Sequence, residues 1–434
     1  YKTAFRRRKK QRICLISCIA LSLCILGLFK YLEFGIGHLN RLLSYADLNV
    51  ITLNHSILLP VGISFYTLQS LGYLIDVYRG DICAEKNFIR YALFVSFFPQ
   101  LVAGPIERSQ NLLVQLKAFH SFSYENLRKG ALLILYGLFL KMVIADRAAI
   151  IVDTVYNDSA GYPGFYIVVA TFLFAIQIYC DFHGYSTIAR GSALLMGIKL
   201  MDNFDAPYYA RSVKEFWRRW HISLSGWFRD YFYIPLGGSR KGKIKKECNL
   251  MAVFAVSGFW HGASLSFILW GLLNGSYQVV WDVIVGVKKY VMKFCHLEDT
   301  DRIKTDCFSR RLFETFFTFI LVSFAWLFFR AGGLYDSYMI LGNMFRVNNW
   351  TVLFDGSLYN LGVARNYMNI MVASVTVLFI VDYHKYHGKD VADLILAQGW
   401  WFRVFIILLM LFVVLLYGCY GQMYDAQQFI YFQF

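Results

Sequence analysis

The chain has 434 residues, of which 58% are hydrophobic and only 16% charged, a balance that excludes an ordinary soluble domain and points to a polytopic membrane protein. Its formal charge of +15 comes without an aromatic-basic module for nucleic acid, so it reads as membrane topology and no nucleic-acid partner is expected. In chain order, the basic start YKTAFRRRKKQR precedes a first apolar run, Ile13 to Phe29, and the positive-inside rule puts that start in the cytoplasm. Runs long enough to cross about 30 Å of hydrocarbon as helices follow at Val50 to Ile75, Phe88 to Ala103, Gly130 to Val152, Gly164 to Cys180, Leu250 to Trp260, Ser264 to Val285, Leu312 to Phe329, Tyr367 to Val381 and Val404 to Cys419. About ten crossings result, too long and continuous for barrel strands, so the expected fold class is all-α: a polytopic transmembrane helical bundle. Lys288 to Arg311 reads as a polar loop. The nine cysteines include no C-x-x-C pair and indicate neither zinc nor a disulfide framework.

The most informative stretch is EFWRRWHISLSGWFRDYFYIPLGG, from Glu215 to Gly238. On a helical wheel, Phe216, Trp217, Trp220, Leu224, Trp227, Phe228 and Tyr231 share about a third of the circumference, while Arg218, Arg219, Ser225, Arg229 and Asp230 lie opposite. This predicts an interfacial amphipathic helix over 215–234 in the headgroup plane, with Trp217, Trp220 and Trp227 as membrane anchors. His221 falls at the edge of the apolar face, and Ile222 breaks the pattern by landing on the polar side. Pro235, Gly237 and Gly238 end the element, and the basic stretch 239–247 reads as a cytoplasmic loop.

SGFWHGAS, from Ser257 to Ser264, sets His261 among small residues that let another backbone or a ligand come close. Ionisable groups at membrane depth are functional candidates by default. A desolvated imidazole stays unprotonated at neutral pH and can take the proton of an attacking hydroxyl. No G-x-S-x-G elbow accompanies it, which favours direct transfer to an acceptor hydroxyl over an acyl-serine. No H-x-x-x-H or carboxylate spacing surrounds either histidine, so no metal is expected. The plain alternatives are a hydrogen-bonding interfacial role for His221 and, for the whole chain, a membrane transporter or a scaffold of a polysaccharide-export complex.

The resemblance becomes specific in a series of motifs: LPVGISFYTLQSLGYLIDVYRG from Leu59, SFFPQLVAGPIERSQ from Ser96, QIYCDFHGYSTIARG from Gln177, NFDAPYYARSVKEFWRRWHISLSGWFRDYFYIPLGGSRKG from Asn203, FWHGAS from Phe259 and the terminal FIYFQF. In this order they resemble the membrane-bound O-acyltransferase family, and within it the bacterial branch that serves alginate O-acetylation and teichoic-acid D-alanylation. The resemblance covers nearly the whole chain and implies one integral-membrane domain, 1–434, around a central channel, with further transmembrane helices before Tyr1. It implies that His261 is the catalytic histidine and His221 a second histidine needed for activity. The donor would be an acyl thioester offered from the cytoplasm, acetyl-coenzyme A or an acyl-carrier phosphopantetheine, with no bound cofactor. The acceptor side would involve an SGNH-hydrolase-like partner and a cell-surface polysaccharide or cell-wall polymer, at the bacterial cytoplasmic membrane. The retained string FRDYFYIPLGGSRKG favours acetyl transfer over D-alanyl transfer from a carrier protein.

One departure stands out: the family's DFSGYSD reads DFHGYST here, with His183 and Thr187 replacing Ser and Asp. His183 could form a local hydrogen-bonded pair with Asp181, and Asp181 could anchor a polar network. Trp217, Arg218, Arg219, Trp220, Asp181 and Trp260 are candidates for substrate binding or channel lining, and Gln100, Gly104, Pro105 and Glu107 for channel lining alone. The two arginines and Lys241, Lys243, Lys245 and Lys246 could draw donor phosphates to the cytoplasmic mouth.

Overall fold

The computed structural model describes residues 2–52, 60–101, 104–294 and 307–420, and among them every regular element is helical. Leu59, the section 295–306 of the expected loop and the terminal FIYFQF lie outside the described residues. α1 (Lys2–Lys30) and α2 (Leu32–Tyr45) are followed by α3 (Ile63–Arg79), α4 (Phe88–Val95), α5 (Phe98–Leu101) and α6 (Ser109–Gln115). α7 (Tyr124–Leu138) runs through a π-helical segment (Phe139–Ala145) into α8 (Asp146–Asn157), and α9 (Phe165–Leu195) comes next. Then follow α10 (Val213–Arg219), α11 (Ile222–Phe228), α12 (Lys243–His261), α13 (Leu265–Phe294), α14 (Phe308–Arg330), α15 (Leu334–Arg346), α16 (Arg365–Tyr386), α17 (Val391–Leu396) and α18 (Trp400–Tyr417).

Among the described residues, six helical stretches are long and apolar enough to cross a membrane: Arg8–Lys30, Phe165–Leu195, Leu265–Val287, Phe308–Arg330, Arg365–Tyr386 and Trp400–Tyr417. Of the other expected runs, Val50 to Ile75 meets the 17-residue α3, with 53–59 outside the described residues, and Leu250 to Trp260 falls on the unbroken 19-residue α12, which is not among those six stretches. Phe88 to Ala103 is split between α4 and α5, and Gly130 to Val152 passes through the π segment. The loop expected from Lys288 is helical as far as Phe294.

α9 is the central post. Two thirds of its most apolar stretch, 67%, is buried inside the protein, against 6% for the corresponding stretches of α1 and α18. Those two carry their apolar side chains on the outside, where lipid is the only apolar solvent for them. α9 packs on α7 through two reciprocal glycine contacts. A Cβ on Gly137 would lie 2.6 Å from the carbonyl oxygen of Gly184, and one on Gly130 would lie 2.8 Å from that of Gly191. Without a hydrophobic force between helices in lipid, such backbone contact is what dispersion needs to hold them together.

Where α7 passes into its π segment, Lys141 bridges two buried carboxylates, Asp146 at 2.8 Å and Asp181 of α9 at 2.6 Å. Asp181 is therefore an anchor between helices, as a buried charge must be to keep its solvation. His183, two residues on, stacks on Tyr179 with ring centres 5.1 Å apart.

Candidate active site

α12 delivers His261 at its last turn. The side chain is 7% exposed and stands edge-on to three rings, Trp260 at 4.9 Å, Trp270 at 5.2 Å and Phe329 at 5.3 Å. The glycines flanking it are explained by α13, not by a ligand: a Cβ on Gly258 would lie 2.2 Å from the carbonyl oxygen of Phe267, and one on Gly262 would lie 2.2 Å from the Phe267 ring. Small residues thus press α12 onto α13 and hold the histidine against an aromatic wall. Trp326, stacked on Trp270 at 5.4 Å, continues that wall to Trp220 at 5.1 Å.

The helix expected over 215–234 is broken at the histidine. α10 ends at Arg219, Trp220 turns extended, and His221 takes a left-handed conformation with φ 44° and ψ 53° before α11 restarts at Ile222. A left-handed non-glycine residue is costly, although histidine tolerates it better than most. Asn203 holds the break. Its backbone carbonyl accepts from the Ile222 amide at 3.0 Å. Its side-chain oxygen lies 3.4 Å from His221 Nδ1 and accepts from the Ser223 amide at 3.2 Å and the Ser223 hydroxyl at 2.7 Å. Asn203 Nδ2 donates to Ser186 at 3.2 Å, which fixes the amide so that its oxygen faces the imidazole. An acceptor at Nδ1 places the ring proton there and leaves Nε2 as the basic nitrogen. His221 is 1% exposed, and burial pushes its pKa down to about 3. Burial likewise pushes the His261 imidazole well below its ordinary range.

A cavity of about 1210 Å³ runs along α11 and α12, and neither His221 nor His261 is among its lining residues. Lys246, Leu250, Val253, Phe254 and Ser257 line it, a spacing that follows one face of α12 and stops one turn short of His261. Ile222 and Ser223, next to His221, line it as well. Among the described residues its wall carries seven basic side chains against three carboxylates, so it attracts anions. Arg211 in that wall pairs with Glu314 at 2.7 Å, and Lys246 pairs with Asp282 and with Glu247.

The sequence candidates separate at this cavity. Trp217 and Arg218 line it; His221, His261, Arg219, Trp220, Asp181 and Trp260 are not among its lining residues. Arg219 is instead tied to Asp205 at 2.7 Å and Glu215 at 3.0 Å and lies over the Tyr386 ring. The membrane-anchor reading of the tryptophans is corrected: Trp220 and Trp227 are buried in protein, and Trp227 donates to the Leu68 carbonyl at 2.8 Å. The 239–247 stretch is a loop only up to Gly242, since α12 opens at Lys243. Gln100 and Glu107 are buried and bonded internally, Gln100 to Gln69 at 3.0 Å and Glu107 to Asn111 at 2.6 Å. Sequence reasoning missed Asn203 and Arg108. Asn203 opens the longest motif but has no chemistry of its own to flag it. Arg108 lines the cavity and pairs with Asp230 at 3.0 Å, across a separation no local pattern reveals.

The profile of the membrane-bound O-acyltransferase family matches residues 84–329. The chain is 36% identical over 401 residues to the probable alginate O-acetylase of Pseudomonas syringae pv. tomato, covering 91% of this chain and 72% of that protein. It is 34% identical over 366 residues to the peptidoglycan O-acetyltransferase of Helicobacter pylori, covering 78% and 66% respectively. Over 237 residues it is 31% identical to the teichoic acid D-alanyltransferase of Bacillus subtilis, covering 51% and 58%.

Proposed function

This chain belongs to the membrane-bound O-acyltransferase family as a multi-pass membrane acyltransferase, and on that premise we propose that it transfers an acetyl group from a thioester to a hydroxyl, with His261 as general base. As the acceptor oxygen attacks the thioester carbonyl, His261 takes the hydroxyl proton. The C–O bond forms, the C–S bond breaks, and the proton passes from the imidazolium to the departing thiolate. Apolar burial favours the neutral imidazole that can begin this cycle, and a positioned base of this kind is worth about 10² to 10⁴ in rate. His221, fixed by Asn203, orients the reacting groups.

The observation that carries the reading is the cavity along α12, whose lining ends one turn from His261 and beside His221. Lys246 and Ser239 bring to its wall the basic stretch that the positive-inside rule assigns to the cytoplasm. The donor would enter there as acetyl-coenzyme A or a phosphopantetheine carrier, its phosphates drawn by the basic wall, with Arg218 and Trp217 as binding residues. The acceptor would be met on the far side of a bacterial cytoplasmic membrane. It would be a cell-surface polysaccharide or a cell-wall polymer, as the names of the alginate and peptidoglycan relatives suggest, and an SGNH-hydrolase-like partner would pass the group on to it.

The test is transfer of labelled acetate from acetyl-coenzyme A by full-length protein in nanodiscs to alginate or peptidoglycan fragments, with and without such a partner, beside His261→Ala. Labelling that depends on His261 supports the reading; labelling by the variant at the wild-type rate overturns it. Transfer from a D-alanyl carrier alone would move the chain to the D-alanylating branch.

A further inference from the structure

α1 ends on Lys30, and a lysine at the end of an apolar span ordinarily extends to the headgroups. This one turns inward. Its Nζ donates to the carbonyl oxygens of Trp260 at 2.7 Å and His261 at 2.8 Å, with Ser64 Oγ at 3.5 Å. The charge also lies 5.7 Å from the centre of the Trp260 ring. The next residue, Tyr31, donates its hydroxyl to the Phe259 carbonyl at 2.8 Å and stacks on the Phe259 ring at 4.4 Å. Two adjacent residues at the α1–α2 junction thus take three consecutive carbonyls at the end of α12.

Those carbonyls need partners because the last turn of a helix has no amides of its own to satisfy them. α12 does not close on itself, since Gly262 is extended, with φ −164° and ψ 158°, where a left-handed residue would form the usual cap. A cation at this end also offsets the negative pole of the helix. The carbonyl nearest the ammonium but one belongs to His261 itself, so the clamp fixes the backbone from which the imidazole hangs.

We propose that Lys30, assisted by Tyr31, is a positioning residue for acyl transfer: it locks the terminal turn of α12 so that the His261 imidazole faces the reacting atoms. It acts through backbone and touches no substrate. The inference rests on His261 being the base, and displacement of a base by an ångström is enough to lower turnover about a hundredfold.

The transfer assay described above tests it with Lys30→Met, Lys30→Arg, Tyr31→Phe and His261→Ala in the full chain. The expected result is a fall in kcat of about tenfold or more for Lys30→Met with donor KM unchanged, recovery in Lys30→Arg, and a smaller fall in Tyr31→Phe. Wild-type kcat in Lys30→Met beside an inactive His261→Ala overturns the clamp and leaves the base standing. A Lys30→Arg protein no better than Lys30→Met also overturns it. If Lys30→Met does not fold, Tyr31→Phe decides, because it removes one hydroxyl and keeps the stacked ring, and wild-type kcat there sinks the inference. Wild-type turnover by His261→Ala would remove the base reading and the clamp together.

Discussion

His261 ends a regular helix of 19 residues, whereas His221 occupies a left-handed break between two helices of 7 residues each. The first is placed by periodicity, by glycine contacts with α13 and by partners from α1. The second is placed by an unfavourable backbone conformation that a single buried amide, Asn203, holds in register. A base on a regular helix can be moved only by moving the helix, while a residue on a strained break depends on every hydrogen bond around it. The two ends of the site should therefore fail differently.

The largest effect is expected at His261 itself: His261→Ala should lower acetyl transfer by about 10² to 10⁴, with unchanged yield of folded protein by size-exclusion chromatography. Gly258→Ala comes next, because its Cβ would meet backbone and α12 must part from α13. A lowered melting midpoint and a loss of about 1–3 kcal/mol are expected, together with reduced kcat; wild-type stability would show that the helix contact yields. Asn203→Ala should cost about 1–3 kcal/mol by stranding the buried Ser223 donors, and should lower kcat without disturbing α12, which hydrogen exchange of its amides would report. The smallest change in stability is expected for His221→Asn, since asparagine also tolerates the left-handed backbone. Its melting midpoint should stay near wild type while kcat falls. Full activity in that variant would show that the break matters for its shape alone, and would reduce the comparison to one histidine.

Much of this site was legible beforehand. Composition sufficed for the membrane class, and the order of motifs sufficed for the family and singled out both histidines as candidates. The small residues around His261 were read as permitting close approach, and they do; that the neighbour is Phe267 of α13 and not a ligand required the packed helices. The continuous helix through His221 was wrong because a wheel assumes an unbroken backbone, and Ile222 on the polar side was the single residue that disagreed. The tryptophans were misassigned for a related reason: an apolar face looks the same whether lipid or protein covers it, and here Trp220 and Trp227 are covered by protein.

By itself, then, the sequence determined what local chemistry and spacing encode. These are apolar length, the basic flanks beside the spans, and the one-face repeat of α12 that leads from Lys246 to His261. Tertiary structure alone decided which of two adjacent arginines faces the cavity, which tryptophans leave the lipid, and that Lys30 closes the end of α12 across 231 positions of chain. Each of those outcomes depends on residues far apart in sequence sharing a few ångströms of space, and no periodicity along one segment carries that information.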